Sequence, residues 1–519
     1  MAAVRNILFI MCDQLRADYL SCTGHPSLKT PHIDALAGRG VLFRNAFCTS
    51  AVCGPSRMSF YTGRYAMTHG ATWNGVPLPL GERTLGDHLR PLGLRVALAG
   101  KTHFVPDLDG MRRLGLDPVS PDTLILREGG FEPFDRHEGH VRPPNDAPYM
   151  RYLKARYPGE DPWTGFVVGV EGPDGAVEDG WLIRNSHRPA RVREADSETA
   201  YTTDRAMAFI REQGEKPWCL HLSYIKPHWP YLAPAPYHAM YPPETHLPLA
   251  RRAHELTEAH PVIAAYRRTD EGISFAREEV ARNATRAYMG LVKQIDDHIG
   301  RLTRFLEESG RFADTMIVFT SDHGDFLGDH WLGEKELFYD QAIRIPLIVY
   351  DPDPASDSRK GRLDDRFVEA IDLAPTFIEA VGGRVPTETI EGTSLLHHLR
   401  GGPVKEKDAV FAELDYGFRR ARKVLGRAPQ GCRGFMVRTA RWKYVEWPGF
   451  APQLFDLEND PGEYRDLGSD VGEAPVRSEL RERLFDWMTS RKTGPDLADA
   501  KIEAGTDTHR ARGIHIGVW

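Results

Sequence analysis

Continuous apolar runs alternate with stretches of helical period along most of this chain. NILFIM, from Asn6 to Met11, reads as a buried strand, and TPHIDALAGRG as a helix with Thr30 as N-cap, Pro31 at its first position and Gly40 as its stop. VLFRNAF and LRVALAG predict further strands, with PSRMSFYTGR and TLGDHLRPLG as helices around them. Between Gly110 and about Ala200 the periodicity fades into Pro, Gly, Asp and Arg, which predicts an elaborated insertion at an active-site rim, since long loops in compact domains are usually functional. Strand character resumes in WCLHLSYI. From Thr285 to Gly310 apolar residues recur at helical spacing; TMIVFTSD and RIPLIVYD then predict two more buried strands, and DLAPTFIEAVGG another helix.

Beyond about Arg400 the segments shorten. DAVFAEL, FMVRTARWKYVEW and QLFDLENDPGE alternate like antiparallel strands joined by turns, and SELRERLFDWMTSRK closes as a helix. The expected fold is α/β: a large, mostly parallel sheet sandwiched by helices over residues 1–400, including the 110–200 insertion, then a smaller α+β unit with an antiparallel sheet over 401–495. A tail over 496–519 ends in GIHIGVW, and this apolar end is expected to dock on a neighbouring subunit in a homodimer or homotetramer.

Composition narrows the partners. Hydrophobic residues make up 41% and charged residues 27% of the 519, with a net charge of −7, so nothing in the balance suggests nucleic acid. No apolar run approaches the roughly 20 residues of a membrane span, and no membrane partner is expected. The apolar stretch of MAAVRNILFIMCDQ is short, ends at Asp13 and lacks a small-residue cleavage site, so it reads as a strand rather than a signal peptide. Six cysteines without paired spacing are expected to be reduced thiols in a cytoplasmic protein.

Ligands of open parallel sheets bind at the carboxyl ends of the strands. After NILFIMC come Asp13 and Gln14, after LRVALAG Lys101 and His103, after WCLHLSYI Lys226 and His228, and after TMIVFTS Asp322 and His323. One such residue is more often a cap or turn former. Four strands delivering them together point to one site: Asp13, Gln14, Asp322 and His323 can supply carboxylate, carbonyl and imidazole donors to a divalent cation, leaving a position for substrate. Two aspartates cancel the cation's charge, and Arg57, Lys101 and Lys335 leave the site positive, which favours a small anionic ester of sulfate, phosphate or phosphonate type.

SAVCGPSRM, from Ser50 to Met58, places a thiol before a predicted helix. A cysteine nucleophile needs a base to form thiolate, and the local sequence offers no histidine. Cys53, Pro55 and Arg57 with Thr62 to Arg64, GKTH from Gly100, KPHWPY from Lys226 and SDHGDFLGDH from Ser321 together resemble the sulfatases, formylglycine-dependent hydrolases of the alkaline phosphatase superfamily. The resemblance implies an alkaline phosphatase-like sheet and oxidation of Cys53 to formylglycine by a separate generating enzyme that reads Cys-x-Pro-x-Arg. It further implies S–O cleavage through a covalent formylglycine sulfate hemiacetal. One geminal hydroxyl of the hydrated aldehyde attacks, and the other loses a proton to eject the inorganic oxyanion.

Roles implied by the resemblance follow residue by residue. Asp13, Gln14, Asp322, His323 and the modified Cys53 would hold the metal, and Arg57 would anchor the diol at the helix start. Lys101 and His103 would orient and deprotonate it, with His103 as the base for collapse. His228 and Lys335 would bind the transferring group and assist the leaving oxygen. Asn74, in TWNGVPL, is a further substrate donor or else a turn residue before Gly75.

Gln14, His323 and Gly54 resemble the phosphonate monoester hydrolase and phosphodiesterase branch, whereas Lys101 and His103 resemble ordinary arylsulfatases. The expected activity is sulfate monoester hydrolysis with side activity on phosphonate monoesters and phosphodiesters. The alternative is a phosphonate monoester hydrolase or phosphodiesterase using the same nucleophile, and a non-catalytic oxyanion-binding protein is a third reading. The imidazole ligand favours manganese, with calcium and zinc open.

Overall fold

Alternate residues of the first strand set the layers of the molecule. Ile7, Phe9 and Met11 enter one apolar core while Leu8, Ile10 and Cys12 enter another, because successive side chains leave a strand on opposite faces. A sheet buried on both sides reads as an unbroken apolar run, as NILFIM does. The computed structural model describes residues 4–139, 141–245, 249–493, 499–506 and 508; the expected docking of GIHIGVW, Gly513 to Trp519, lies outside the described residues.

The strands are β1 Asn6–Asp13, β2 Val41–Phe47, β3 Arg95–Gly100, β4 Glu132–Arg136, β5 Gly169–Glu171, β6 Val177–Asp179, β7 Trp218–Pro227, β8 Thr315–Ser321, β9 Arg344–Tyr350 and β10 Arg362–Glu369. Eight of them form one sheet in the order β10-β2-β9-β8-β1-β7-β3-β4, and β5 pairs with β6 as a separate ribbon. Only β9 runs against its neighbours β2 and β8. Helices Cys53–Thr62 and Leu373–Ala380 cover one face through Met58, Phe60, Leu373 and Phe377. Glu198–Gln213 and Glu278–Glu308 cover the other through Phe209, Ile210, Tyr288, Val292 and Ile299.

The remaining strands, β11 Val410–Asp415, β12 Arg433–Arg438, β13 Trp442–Glu446 and β14 Gln453–Asp456, form an antiparallel sheet in sequence order. Helix Ala474–Thr489 packs Leu480, Leu484 and Trp487 onto Phe435, Val437 and Tyr444 of that sheet. The architecture is therefore the mostly parallel α/β sheet with a second, antiparallel sheet that the pattern predicts.

Three elements differ from the pattern. The stretch that fades after Gly110 contains β4, which closes one edge of the main sheet; its EPFDR sequence is half-polar and carries the proline that an edge strand tolerates. The opposite edge, β10, is RLDDRFVE, exposed over its outer half and irregular in register between Asp364 and Phe367. The long helix begins at Glu278 rather than Thr285, with Glu278 and Glu279 at the amino end that favours acidic residues. Among the described residues, no helix is long and apolar enough to cross a membrane.

Candidate active site

Four adjacent parallel strands, β8, β1, β7 and β3, end at one edge of the sheet, and the polar residues that follow them converge there. Register slips between Cys12 and Asp13 where β1 leaves β7, which turns Asp13 toward the edge. Gln14 follows in left-handed backbone at φ 69°, its N–H donating to Asp322 Oδ1 at 3.0 Å. Asp13, Cys53, Asp322 and His323 are buried, and one ligand atom from each lies within 4.8 Å of the others.

His323 Nδ1 donates to the Gly324 carbonyl at 2.8 Å, which directs Nε2 into this group. Nε2 stands 3.2 Å from Cys53 Sγ, 3.8 Å from Asp13 Oδ1 and 3.7 Å from Asp322 Oδ1. The local sequence offers no histidine partner for Cys53, and the fold brings one from 270 positions away. Burial opposes an imidazolium, yet Asp322 and Cys53 raise His323 to about 9. Burial and Asp13 push the Cys53 thiol up, but Lys101, Lys335 and His323 outweigh them and hold it well below its ordinary value. Two carboxylates and a sulfur that draw a proton onto their imidazole neighbour form a donor set that fits a divalent cation.

Arg57, one turn into helix Cys53–Thr62, is fully buried. Its Nε donates to Asp322 Oδ2 at 2.8 Å, and Nη1 to the Lys101 carbonyl at 2.9 Å and Ser223 Oγ at 2.8 Å. Nη2 lies 3.5 Å from Asp13 Oδ2, so one guanidinium braces both aspartates. The Lys101 ammonium donates to Asp13 Oδ2. His103 is only partly buried, in left-handed backbone at φ 53°, and its N–H donates to Glu138 Oε2 at 3.1 Å.

Lys335 comes from a loop after β8. Its Nζ donates to Gln14 Oε1 at 3.0 Å and to His228 Nε2 at 2.7 Å, with Glu334 3.2 Å away. Accepting at Nε2 leaves the His228 proton on Nδ1, which donates to the Trp229 carbonyl at 3.2 Å. Asn74 Oδ1 accepts the Gly54 N–H at 2.7 Å, and a Cβ at position 54 would stand 2.9 Å from that oxygen, which explains the glycine beside Cys53. Lys226 turns aside to the Pro230 carbonyl at 3.0 Å and to Glu198 at 3.6 Å.

Two groups escaped the sequence reading. Asp325 accepts from Gln14 Nε2 at 2.6 Å and from the Tyr231 hydroxyl, so it fixes the amide that faces Lys335. Burial pushes Asp325 up to about 6, against the pull of those two donors. Its signal was present in SDHGDF, two residues beyond the strand-end pair. Glu138, held down at about 2 against burial by Arg136, His103 and Lys101, sits in the stretch where periodicity fails.

A buried thiol at a helix start, a carboxylate and imidazole cluster and a ring of cations thus meet at the strand ends, the make-up of a hydrolytic site. The Sulfatase family model matches residues 5–383, and a model for the N-sulphoglucosamine sulphohydrolase C-terminal region matches residues 328–490. This chain belongs to the sulfatase family, in the alkaline phosphatase superfamily. It is 33% identical to the multifunctional alkaline phosphatase superfamily protein PehA of Trinickia caryophylli, over 94% of this chain and 95% of that one. An arylsulfatase of Clostridium perfringens is 26% identical, again over 94% and 95%. The phosphonate monoester hydrolase of Silicibacter pomeroyi superposes with a TM-score of 0.82 at 30% identity, covering 94% of this chain and 95% of its own.

Proposed function

We propose that this chain is a metal-dependent sulfuric ester hydrolase of arylsulfatase type, with phosphonate monoesters and phosphodiesters as secondary substrates. The observation that carries the reading is Cys53, buried at the start of its helix between His323 and Asp13 and facing the ammonium groups of Lys101 and Lys335. Asp13, Gln14, Asp322, His323 and the modified residue 53 would hold a divalent cation, manganese by preference. Such a cation, when bound, polarises substrate oxygens and acidifies a hydroxyl beside it. Oxidation of Cys53 to formylglycine, by a generating enzyme during maturation, supplies a hydrated aldehyde in place of the thiol.

Around that centre the chain's own groups divide the work. Arg57 holds both aspartates in place, and the amino end of helix Cys53–Thr62 favours negative charge at residue 53. Lys101 neutralises Asp13, and His103 is the base for collapse, taking the proton of the second hydroxyl of the hydrated aldehyde so that the inorganic oxyanion is released. Lys335, its proton shared with neutral His228, binds the transferring oxyanion and donates to the leaving oxygen. A sulfate presents three oxygens to this polar surround, whereas a phosphonate must place a carbon substituent among the same charges.

A second reading, a phosphonate monoester hydrolase, is favoured by the likeness to the Silicibacter pomeroyi enzyme and by Gln14, His323 and Gly54. Values of kcat/KM for 4-nitrophenyl sulfate, 4-nitrophenyl phenylphosphonate and a matched diester separate the two. The sulfate is expected to be hydrolysed most efficiently; the reverse order would assign the second reading. Mass spectrometry of the Cys53 peptide from the natural host is expected to show the aldehyde, and unmodified thiol alone in active enzyme would sink the nucleophile assignment.

A further inference from the structure

Lys335 stands between Glu334 and Glu336, both in left-handed backbone, at φ 66° and 75°. Such backbone persists only where its surroundings over-determine it, so the place of the Lys335 ammonium depends on what holds its neighbours. Glu336 is held at both ends. Its N–H donates to the carbonyl of Ala51, two residues before Cys53, at 3.1 Å. Its buried side chain meets Arg419, with Oε1 3.0 Å from the Arg419 Nε. Burial pushes this carboxyl up to about 7, and Arg419 is the strongest of the groups that pull it back.

Arg419 belongs to the unit of the second sheet, shortly after β11 ends at Asp415. Its Nη2 lies 3.5 Å from Glu271, and its guanidinium stands 5.9 Å from the centre of the Tyr266 ring, so partners outside the Lys335 loop orient the fork. β11 is itself tied to the chain that leads into Cys53, because the Glu413 N–H donates to the Thr49 carbonyl at 2.8 Å. We propose that Arg419 is a positioning residue for Lys335: through its ion pair with Glu336, the unit of the second sheet sets the ammonium against His228 and Gln14. The inference rests on the reading of Lys335 as the cation that binds the transferring oxyanion and serves the leaving oxygen, and it makes the second sheet's unit part of that machinery. Misplacing such a group by about 1 Å can cost about 10²-fold in rate.

The test is a double-mutant cycle on full-length, metal-loaded enzyme, read as kcat/KM for 4-nitrophenyl sulfate and for 4-nitrophenyl phenylphosphonate. Arg419→Gln is expected to lower kcat/KM by about 10- to 10²-fold in the parent and by no more than about twofold in the Lys335→Met background. Arg419→Lys, which returns a charge to Glu336, should recover part of the loss in the parent and none in Lys335→Met. A loss of equal size in both backgrounds would overturn the proposal, since damage to the fold at large multiplies with the Lys335 defect. An Arg419→Gln enzyme as active as the parent would overturn it too. The cycle reads the same on either ester, so a preference for the phosphonate revises the reaction class and leaves the proposal standing. Lys335→Met without loss would remove the reading of Lys335 and the proposal with it, whereas additive losses remove the part of Arg419 alone.

Discussion

The Lys335 ammonium lies between Gln14 Oε1 and His228 Nε2, and Cys53, Glu334, Asp13 and Asp322 raise its pKa against burial. Glu334, Asp13 and Asp322, which remain when Cys53 is oxidised, favour the charged ammonium, and it can donate to an oxygen that gains charge as its bond to sulfur breaks. Removing such a donor costs about 10²- to 10³-fold in rate. Lys335→Met is expected to lower kcat/KM by that factor, more for alkyl sulfates with poor leaving groups than for 4-nitrophenyl sulfate. A loss independent of leaving group would limit Lys335 to binding the oxyanion. Asp13, Gln14, Asp322 and His323 directly follow apolar strands, so the sheet alone brings their backbones to one edge. Asp325, although it stands only two residues beyond the strand-end pair, gains its contact to Gln14 through a loop that folds back, and the His323 contact to Cys53 joins residues 270 positions apart, which no period along the chain shows.

Among the described residues, the loop bearing Lys335 holds most of the left-handed backbone that is not glycine. Leu327, His330, Trp331, Glu334, Glu336 and Leu337 all have left-handed backbone, although none is glycine. Each costs about 1–3 kcal/mol and persists only where its surroundings over-determine it. One restraint is Lys443 of β13, fully buried, which donates to the Phe338 carbonyl at 2.8 Å and pairs with Asp340 at 2.7 Å and Glu463 at 2.6 Å. Truncating one member of a buried ionic group leaves charge stranded. Lys443→Met is expected to destabilise by about 3–5 kcal/mol in urea unfolding, and adding Asp340→Asn and Glu463→Gln should recover much of it. No recovery would mean that packing rather than charge is at stake. The two edge strands were unreadable for the opposite reason: β4 and β10 bury too little to impose an apolar run, whereas β1, β7 and β8, covered on both faces, are legible residue by residue.

At the scale of the whole molecule, helix Cys53–Thr62 is gripped by two buried histidines, His221 of β7 in the sheet and His69 of the short helix Ala66–His69 that follows it. Ser59 Oγ lies 3.1 Å from His69 Nε2, and the Tyr61 hydroxyl 3.0 Å from His221 Nε2; His221 Nδ1 donates to the Phe9 carbonyl, so Nε2 accepts from Tyr61. Burial, with Arg64 beside His69 and Arg57 beside His221, lowers both to about 3. The unfolded chain binds protons at these positions near pH 6.5, while the folded chain refuses them until about 3. Stability from each is therefore complete above pH 6.5 and is lost as pH falls toward 3, by about 1.4 kcal/mol per pH unit per histidine. His221→Gln, which keeps an acceptor for Tyr61 but cannot titrate, is expected to flatten the fall of unfolding free energy between about pH 6 and pH 4 by that amount. Chemical denaturation across this range checks it, and an unaltered slope would show that His221 already carries a proton in the folded protein. Because both histidines grip the helix that begins at Cys53, the same titration should dislodge the nucleophile, so activity lost in acid should return on neutralisation only as fast as the helix redocks.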